Sequence, residues 1–167
     1  MALPGGTCVG VCVAHFDHKA EELRERQAPE VSARCAGAFG RGADDEVPHV
    51  VCGDLNSFDR RDMSDEQWSG ICALYETRGW QPPPCPDSLV QRVFAGDGYS
   101  DAFALRPAGA GGPSVPPRTC WTNTRLDYVW LSPSAASGPS ALRVLAHSTI
   151  SSAASDHLPV VCDLEVP

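Results

Sequence analysis

The sequence predicts a mixed α/β (α+β) domain in which β-strands are flanked by helices. Two apolar segments near the start, residues 7–16 and 47–52, have the pattern of buried strands, and each precedes a stretch with helical spacing. The last third instead contains short apolar segments separated by turn residues, which is typical of a meander or of hairpins. The chain has 167 residues, 43% of them hydrophobic and 20% charged, and this size and composition fit one globular domain.

Charge and composition narrow the classes of function. The net charge is −8, with 13 basic and 21 acidic residues, whereas proteins that bind nucleic acid usually carry a basic face. A nucleic-acid partner is therefore disfavoured, although a local basic patch is compatible with this balance. We find no apolar run of the ~20 residues that a membrane helix needs, and no basic region before the first apolar segment as in a signal peptide. We expect a cytoplasmic protein without a membrane span.

The eight cysteines form no C-x-x-C pair and no zinc-ligand spacing. Most of them lie in apolar runs, where cysteine behaves as a small hydrophobic residue, so we expect reduced and buried thiols. An even number of cysteines in a secreted protein would instead indicate disulfides, and that alternative stays open.

The first strand, residues 7–16, is apolar on both faces and is expected to be buried on both. It leads to His15, and a lone histidine at a strand end is more often structural than catalytic. A helical stretch follows at 19–27; Pro29 is expected to break or kink it before a second helical piece at 31–39. The remaining histidines have no supporting neighbours and are interpreted as structural: His18, His49 and His147.

The segment 47–52 is a second apolar strand that ends in Gly53, Asp54 and Asn56. Alternation along a strand places residues two positions apart on one face, so Asp54 and Asn56 are expected to point the same way. A carboxylate beside an amide at a strand end suits a hard cation or a water molecule. The alternative is a simple exit from strand to turn, because Gly, Asp and Asn are all common in turns.

The next segments have clear local signals. Ser64 and Gln67 match a capping box, and apolar residues at helical spacing continue to Gly79, so an amphipathic helix is predicted here. A short helix is predicted at 88–94. An acidic loop is predicted at 41–48 and a proline-rich connector at 81–86. The Gly/Pro-rich loop at 108–117 lacks the Gly-Lys-Ser/Thr ending of a phosphate loop, so no nucleotide site is predicted there.

Strands are predicted in the last third at 118–122, 126–131, 141–150 and 158–166. Asp127 lies within an apolar strand, and a buried charge is costly unless it is paired. Arg125 projects to the opposite face, so a histidine from another strand is the better partner, and His157 is a candidate. Asp156 and His157 are neighbours in the sequence and cannot easily face each other. One is therefore expected to contact a cation, and the other a carboxylate and a substrate. The alternative is a polar turn in water.

Four segments, each at a strand end, together resemble one family in their order: Ala14-His15-Phe16-Asp17-His18, Gly53-Asp54-Leu55-Asn56, Arg125-Leu126-Asp127-Tyr128-Val129 and Ser155-Asp156-His157-Leu158-Pro159-Val160. This is the endonuclease/exonuclease/phosphatase superfamily, also called deoxyribonuclease-I-like. The resemblance covers nearly the whole chain, but only the C-terminal portion of a family domain. It implies a two-sheet β-sandwich flanked by helices, with one or two Mg²⁺ (or Mn²⁺) ions at the sheet mouths.

The resemblance also implies roles for individual residues in the hydrolysis of a phosphoester. Asp54 would orient or deprotonate the attacking water, and Asn56 would hold Asp54, the phosphate or a metal ion. Asp156 would ligate metal. Asp127 would hold His157 in one tautomer.

Both His157 and His15 would donate hydrogen bonds to the phosphoryl oxygens. The reaction would then be an in-line displacement, with the developing charge stabilised by metal and imidazoles.

The family's first half supplies an asparagine and a metal-binding glutamate that have no counterpart upstream of His15. We therefore predict a single truncated domain at 1–167, with the N-terminal half missing and one apolar sheet face exposed. Three functions remain open. They are a metal-dependent phosphodiesterase or phosphatase for a small or lipid-like phosphoester, a catalytically incomplete remnant that binds a partner through the exposed sheet face, and a nuclease of the same fold.

Overall fold

The computed structural model describes residues 8–40, 47–80, 88–107 and 115–167. The predicted connector at 81–86 lies outside the described residues, as do most of the predicted loops at 41–48 and 108–117. The described chain forms six strands, four α-helices and a short 3₁₀ helix at Arg60–Asp62. These are β1 (Gly10–Val13), α1 (Glu21–Phe39), β2 (His49–Asp54), α2 (Asp65–Arg78), α3 (Leu89–Gly96), β3 (Ser100–Asp101), β4 (Asp127–Leu131), α4 (Pro133–Ala136), β5 (Arg143–Thr149) and β6 (Val160–Glu165).

Two sheets are present in the described residues. The larger has the strand order β1-β2-β4-β3, in which β1 and β2 are parallel and the other pairs antiparallel; the smaller is the antiparallel pair β5-β6. The predicted meander of the last third is therefore wrong in part. Strand β4 pairs with β2 from the first third of the chain, and the predicted strand at 118–122 contributes only an isolated bridge between Cys120 and His157.

A hydrophobic core lies on each face of the larger sheet. Val51, Tyr128 and Trp130 point to one face, where they form a core with buried residues of α1 and α3. Val50 and Leu131 point to the opposite face and pack with β5-β6, where Val144 is buried. The alternation of side chains along β2 and β4 thus builds two cores, and the two-sheet α/β architecture with flanking helices is confirmed.

Helix α1 runs unbroken from Glu21 to Phe39 with Pro29 inside it, so the predicted break is wrong. Proline removes one backbone hydrogen bond from the helix interior, a cost that tertiary packing can offset. Here Ala28, Ser32 and Cys35 lie on one buried stripe on both sides of Pro29, which is itself exposed. Burial of this stripe holds the two predicted helical pieces in one helix.

Strand β1 is buried on one face only, which also differs from the prediction. Gly10 and Ala14 are buried, whereas Val11 and Val13 are 49% and 76% exposed. β1 pairs with β2 on one side, and no other described strand pairs with its second edge. The apolar segment correctly indicated a strand, but not that β1 lies at the edge of the sheet that the described strands form.

None of the described helices combines the length and apolar character needed to cross a membrane. Seven cysteines lie in the described residues and all are free thiols. Cys35 and Cys120 are buried, Cys8 is exposed, and the others are partly buried.

Candidate functional site

The site is centred on the carboxyl end of β2, where Asp54 is the last strand residue. In the antiparallel register, Asp54 faces Asp127, the first residue of β4. Residues directly opposite each other on antiparallel strands have neighbouring side chains. Pairing between β2 and β4 therefore brings together two carboxylates that are 73 positions apart in the sequence.

His157 lies beside both of these carboxylates. Its Nδ1 lies 2.8 Å from Oδ2 of Asp127, and its Nε2 lies 3.9 Å from Oδ2 of Asp54. A carboxylate oxygen accepts hydrogen bonds, so Nδ1 carries the proton in this contact and the ring is held in one tautomer. The expected partnership of Asp127 with a histidine from another part of the chain is thus present in the geometry.

Backbone pairing with the segment 119–121 positions His157. Cys120 and His157 form an antiparallel bridge, and the Leu158 amide donates to the Thr119 carbonyl at 2.8 Å. The Thr119 hydroxyl accepts hydrogen bonds from the amides of Leu126 and Asp127 at 2.9 and 3.1 Å. Thr119 is fully buried. Its backbone and side chain bond both the segment that carries His157 and the strand that carries Asp127. Sequence reasoning missed it, because a threonine within the predicted strand at 118–122 carries no signal of its own.

Asn56 joins the end of β2 to the loop that follows β1. Its backbone amide donates to Oδ1 of Asp54 at 2.8 Å, and its side-chain amide donates to Oδ2 of Asp54 at 3.1 Å and to the Phe16 carbonyl at 3.0 Å. Asn56 has a φ of 47°, a left-handed conformation that asparagine tolerates better than most residues. This turn aims the amide back at Asp54 and fixes the carboxylate orientation.

His15 lies at the edge of the same group, with its Nε2 3.5 Å from Oδ2 of Asp54 and its side chain 73% exposed. The loop that carries it is held by α1. The Arg24 guanidinium donates to the Asp17 carbonyl at 2.7 Å, and the Asp17 amide donates to Oε1 of Gln27 at 2.9 Å. Hydrogen bonds from the Ala20 and Lys19 amides lower the pKa of the Asp17 carboxyl. The ring of His15 is therefore exposed, whereas the loop that carries it is anchored to α1.

The electrostatics of the group centre on Asp54. Burial raises the pKa of this carboxyl, and the neighbouring Asp127 carboxylate raises it further. The hydrogen bond from the Asn56 amide and the two imidazoles, His15 and His157, act in the opposite direction. A carboxylate that is buried beside a like charge is a common feature of functional sites.

A cation would relieve this repulsion between carboxylates. Asp54, Asp127 and His157 each offer a ligand atom, and these atoms all lie within 4.8 Å of one another. Two carboxylates and an imidazole form a donor set that suits a divalent cation, with carboxylate oxygens favoured by Mg²⁺ and Mn²⁺.

Asp156, the other expected metal ligand, lies apart from this cluster. It is exposed, and its backbone carbonyl accepts a hydrogen bond from the Trp121 amide at 2.9 Å. The structure thus brings together His15, Asp54, Asn56, Asp127 and His157, and leaves Asp156 exposed and outside this group.

A buried ion pair next to the site was not anticipated. Arg125 is 4% exposed and binds Asp101 of β3 through two hydrogen bonds, at 2.6 and 2.7 Å. Its guanidinium lies 4.3 Å from the centre of the Tyr128 ring. Alternation had directed Arg125 away from Asp127 but could not identify Asp101, because that contact depends on the pairing of β3 with β4.

Comparisons with known proteins find similarity in sequence and in fold. The model of the Endonuclease/Exonuclease/phosphatase family matches residues 18–157. The catalytic domain of human Nocturnin, solved with a bound sulfate anion, is similar with a TM-score of 0.59 and 25% identity, over 94% of this chain and 47% of that chain. A comparison with curated protein sequences finds no match.

Two solved structures from Bacteroides thetaiotaomicron are also similar in fold. A mannosyl-6-phosphatase has a TM-score of 0.51 and 18% identity, over 92% of this chain and 49% of that chain. A protein of the endonuclease/exonuclease/phosphatase family has a TM-score of 0.52 and 16% identity, over 96% of this chain and 50% of that chain. The chain spans about half the length of the solved structures it matches.

Proposed function

Because the chain belongs to the endonuclease/exonuclease/phosphatase family, we propose that it is a divalent-metal-dependent phosphoesterase. The observation that carries the proposal is the cluster of Asp54, Asp127 and His157 at the mouth of the larger sheet. One structure of similar fold is a mannosyl-6-phosphatase, which supports assignment to the hydrolase class. The reaction we propose is hydrolysis of a small-molecule or lipid phosphoester by in-line attack of water.

Mg²⁺ or Mn²⁺ is the cofactor that the donor set favours. Asp54 would supply a carboxylate, and Asn56 would supply its amide oxygen, since its amide nitrogen is engaged within the fold. Asp156, which is exposed and outside the cluster of Asp54, Asp127 and His157, would supply a further carboxylate. The bound cation would act as a Lewis acid that neutralises charge on the phosphoryl group. Asp127 is engaged with His157 and is the least available of the carboxylates.

The His157–Asp127 pair would act on the phosphoryl oxygens. With Nδ1 donating to Asp127, the Nε2 edge of the ring faces Asp54 and the substrate space. When the ring is protonated, Nε2–H donates a hydrogen bond to a phosphoryl oxygen, and Asp127 balances the imidazolium charge. His15 would donate to a second oxygen from the exposed side of the site.

Asp54 would orient the attacking water or remove its proton. Its carboxylate is held by both amides of Asn56, and burial keeps its pKa above the ordinary value, which suits a group that accepts a proton during the reaction. The proton would pass from water to the carboxylate as the oxygen attacks phosphorus and the ester oxygen leaves.

The net charge of −8 favours a small phosphoester over nucleic acid, whose binding needs a basic surface. A nuclease of the same fold would instead bind DNA with an affinity that falls as the salt concentration rises. An affinity for DNA that does not change with salt would exclude that alternative.

A second candidate function is a binding module without catalytic activity. Val11 and Val13 are exposed on the open edge strand β1, and an exposed apolar strand edge is a site where another chain can pair. In this case the partner would cover the exposed sheet face.

The proposed activity is tested with bis-p-nitrophenyl phosphate in the presence of Mn²⁺. Asp54→Ala and His157→Ala should each lower the rate by about 10² or more, the usual contribution of a general base or a preorganised hydrogen-bond donor. His18→Ala serves as the matched control, because His18 is an exposed histidine outside the cluster, and its rate should equal that of the wild type. An inert full-length protein, or unchanged rates in the first two variants, would refute the proposal.

A further inference from the structure

The turn that follows β2 is held by a network of buried polar side chains. Ser57 is buried, and its hydroxyl donates to Oε1 of Gln91 on α3 at 2.9 Å and bonds the hydroxyl of Ser88. The Ser57 carbonyl accepts from the Tyr128 hydroxyl at 3.1 Å and from the Gln91 side-chain amide at 3.4 Å. Because an unpaired buried polar group is costly, this network fixes the position of the Ser57 peptide.

Tyr128 is the member of this network that reaches the turn from the larger sheet. It is 2% exposed, and its hydroxyl lies 3.1 Å from the Ser57 carbonyl oxygen and 3.2 Å from that of Arg125, so the two carbonyls share one proton. Tyr128 follows Asp127 in β4, and alternation directs the two side chains to opposite faces. One strand therefore contributes from both faces: Asp127 holds His157, and Tyr128 holds the turn after β2.

Asn56 lies between two anchored residues. On one side the Leu55 amide donates to the Leu126 carbonyl at 2.9 Å, and on the other side the Ser57 carbonyl is bonded by the network. The φ of 47° at Asn56 belongs to a sparsely populated backbone region, which persists only where the surrounding structure holds it. Both amides of Asn56 donate to Asp54, so the backbone conformation at Asn56 sets the orientation of the Asp54 carboxylate.

We propose that Tyr128 is a positioning residue for the reaction, which acts through Ser57 and Asn56 on the Asp54 carboxylate. Its hydroxyl donates to backbone carbonyls in the core, so it acts on the orientation of Asp54 and not on the binding of substrate. Groups that orient the ligands of a metal site contribute to activity without touching the metal or the substrate. The inference rests on the proposed phosphoesterase function and adds to it a residue outside the cluster.

The first test is the activity of Tyr128→Phe, which removes the hydroxyl and keeps the ring that stacks on Trp130. With bis-p-nitrophenyl phosphate and saturating Mn²⁺, kcat should fall about 10- to 100-fold and KM should not change. Tyr99→Phe is the matched control. Tyr99 is buried in the same core, and its hydroxyl lies 2.7 Å from Nε2 of His49, at the opposite end of β2. This variant should keep the kcat of the wild type.

A double-mutant cycle separates positioning from a general loss of stability. If Tyr128 acts through Asn56, then Tyr128→Phe should not lower kcat further in an Asn56→Ala background, whereas a merely structural effect would add in full. Gln91→Met removes the other donor to the Ser57 carbonyl and repeats the cycle from α3, should Tyr128→Phe fold poorly. Additive effects in the cycle, or a wild-type kcat in both single variants, would overturn the proposal.

Hydrogen exchange of the Asn56 amide, followed by NMR in EDTA, probes the turn without turnover. This amide donates to Oδ1 of Asp54 at 2.8 Å, and its exchange rate reports how often the turn opens. Tyr128→Phe should accelerate the exchange about fivefold or more, because the buried Ser57 carbonyl loses its nearer donor, and Tyr99→Phe should not.

The exchange measurement also distinguishes the failure of the two proposals. A wild type that does not hydrolyse bis-p-nitrophenyl phosphate, but in which Tyr128→Phe accelerates exchange at Asn56, would refute the phosphoesterase function alone. An unchanged exchange rate in Tyr128→Phe would refute the positioning role, whatever the activity of the wild type.

Discussion

His147 is a buried histidine that the proposed reaction does not use. It is 4% exposed, its ring lies edge-on to Phe103, and neither ring nitrogen has a hydrogen-bond partner among the described residues. Burial lowers the pKa of His147 to about 4; Arg125 and Arg106 contribute in the same direction and Asp101 opposes them. The residue is therefore neutral in the folded protein at pH 7.

This burial predicts a pH dependence of stability. Between pH 6.5 and pH 4 the unfolded chain binds a proton at His147 that the folded chain does not, so the free energy of unfolding falls as the pH is lowered through this range. The contribution of His147 is at most about 3 kcal/mol, from 1.36 kcal/mol per unit of pKa. His147→Phe should remove it, as measured by urea unfolding at pH 7.5 and pH 4.5.

The wild type must be compared with His147→Phe, because Asp62 changes the free energy of unfolding with pH in the opposite direction. Burial raises the pKa of Asp62 to about 6, so protonation of Asp62 stabilises the fold as the pH is lowered. Ser148→Ala, on the exposed side of the same strand, is the control and should keep the wild-type dependence. An equal loss of stability in the wild type and in His147→Phe would contradict the prediction.

At the scale of the element, Gly53 allows the end of β2 to lie against the backbone that follows β1. Its φ is 131°, a conformation that other residues rarely adopt, and a Cβ at this position would overlap the Ala14 carbonyl oxygen. Hydrogen bonds from the amides of Ala14 and Phe16 to the carbonyls of Cys52 and Asp54, both 2.9 Å, surround this contact. Gly53 thus sets the approach of the His15 loop to Asp54.

Gly53→Ala should therefore be destabilising by about 2 kcal/mol or more, since it combines backbone strain with a steric clash. The measurement is the midpoint and slope of urea unfolding. Gly70→Ala is the matched control, because no atom lies within 4 Å of a Cβ at this position in α2. It should stabilise the protein by up to about 1 kcal/mol through helix propensity. A similar effect of the two substitutions would refute the role of Gly53.

At the scale of the whole molecule, the two sheets are unequal in extent. The pair β5-β6 covers Val50 and Leu131, and the same face of the larger sheet continues to Val11 and Val13 on β1, which are exposed. An apolar face at an open sheet edge is a site for association.

We expect the folded protein to bind an apolar fluorescent dye at this face. The double variant Val11→Lys and Val13→Lys should bind markedly less dye, because two charges replace the apolar surface, while its circular dichroism stays unchanged. Ile150→Lys is the control, since Ile150 is 53% exposed but lies outside this face. A monomeric wild type without dye binding would contradict both this prediction and the binding-module alternative.

Local patterns were sufficient for several elements and for the main site candidates. The apolar run that ends in Gly53 and Asp54 predicted β2, and the capping box of Ser64 and Gln67 predicted α2, where both reciprocal hydrogen bonds are present. The cost of burying Asp127 alone called for a histidine partner, and His157 lies 2.8 Å from it. These inferences depend only on neighbours in the sequence or on the chemistry of one side chain.

The sequence by itself therefore determined the longer strands and helices and the side chains that carry the candidate chemistry, because periodicity, capping and buried charge are properties of short segments. It did not predict β3 or α4, and its predicted strand at 118–122 forms only an isolated bridge. Only the tertiary structure decided that β4 lies between β2 and β3, that Pro29 stays inside α1, and that β1 ends the sheet with Val13 exposed. The physical reason is that strand pairing and burial depend on contacts between residues distant in the sequence, which no local pattern encodes.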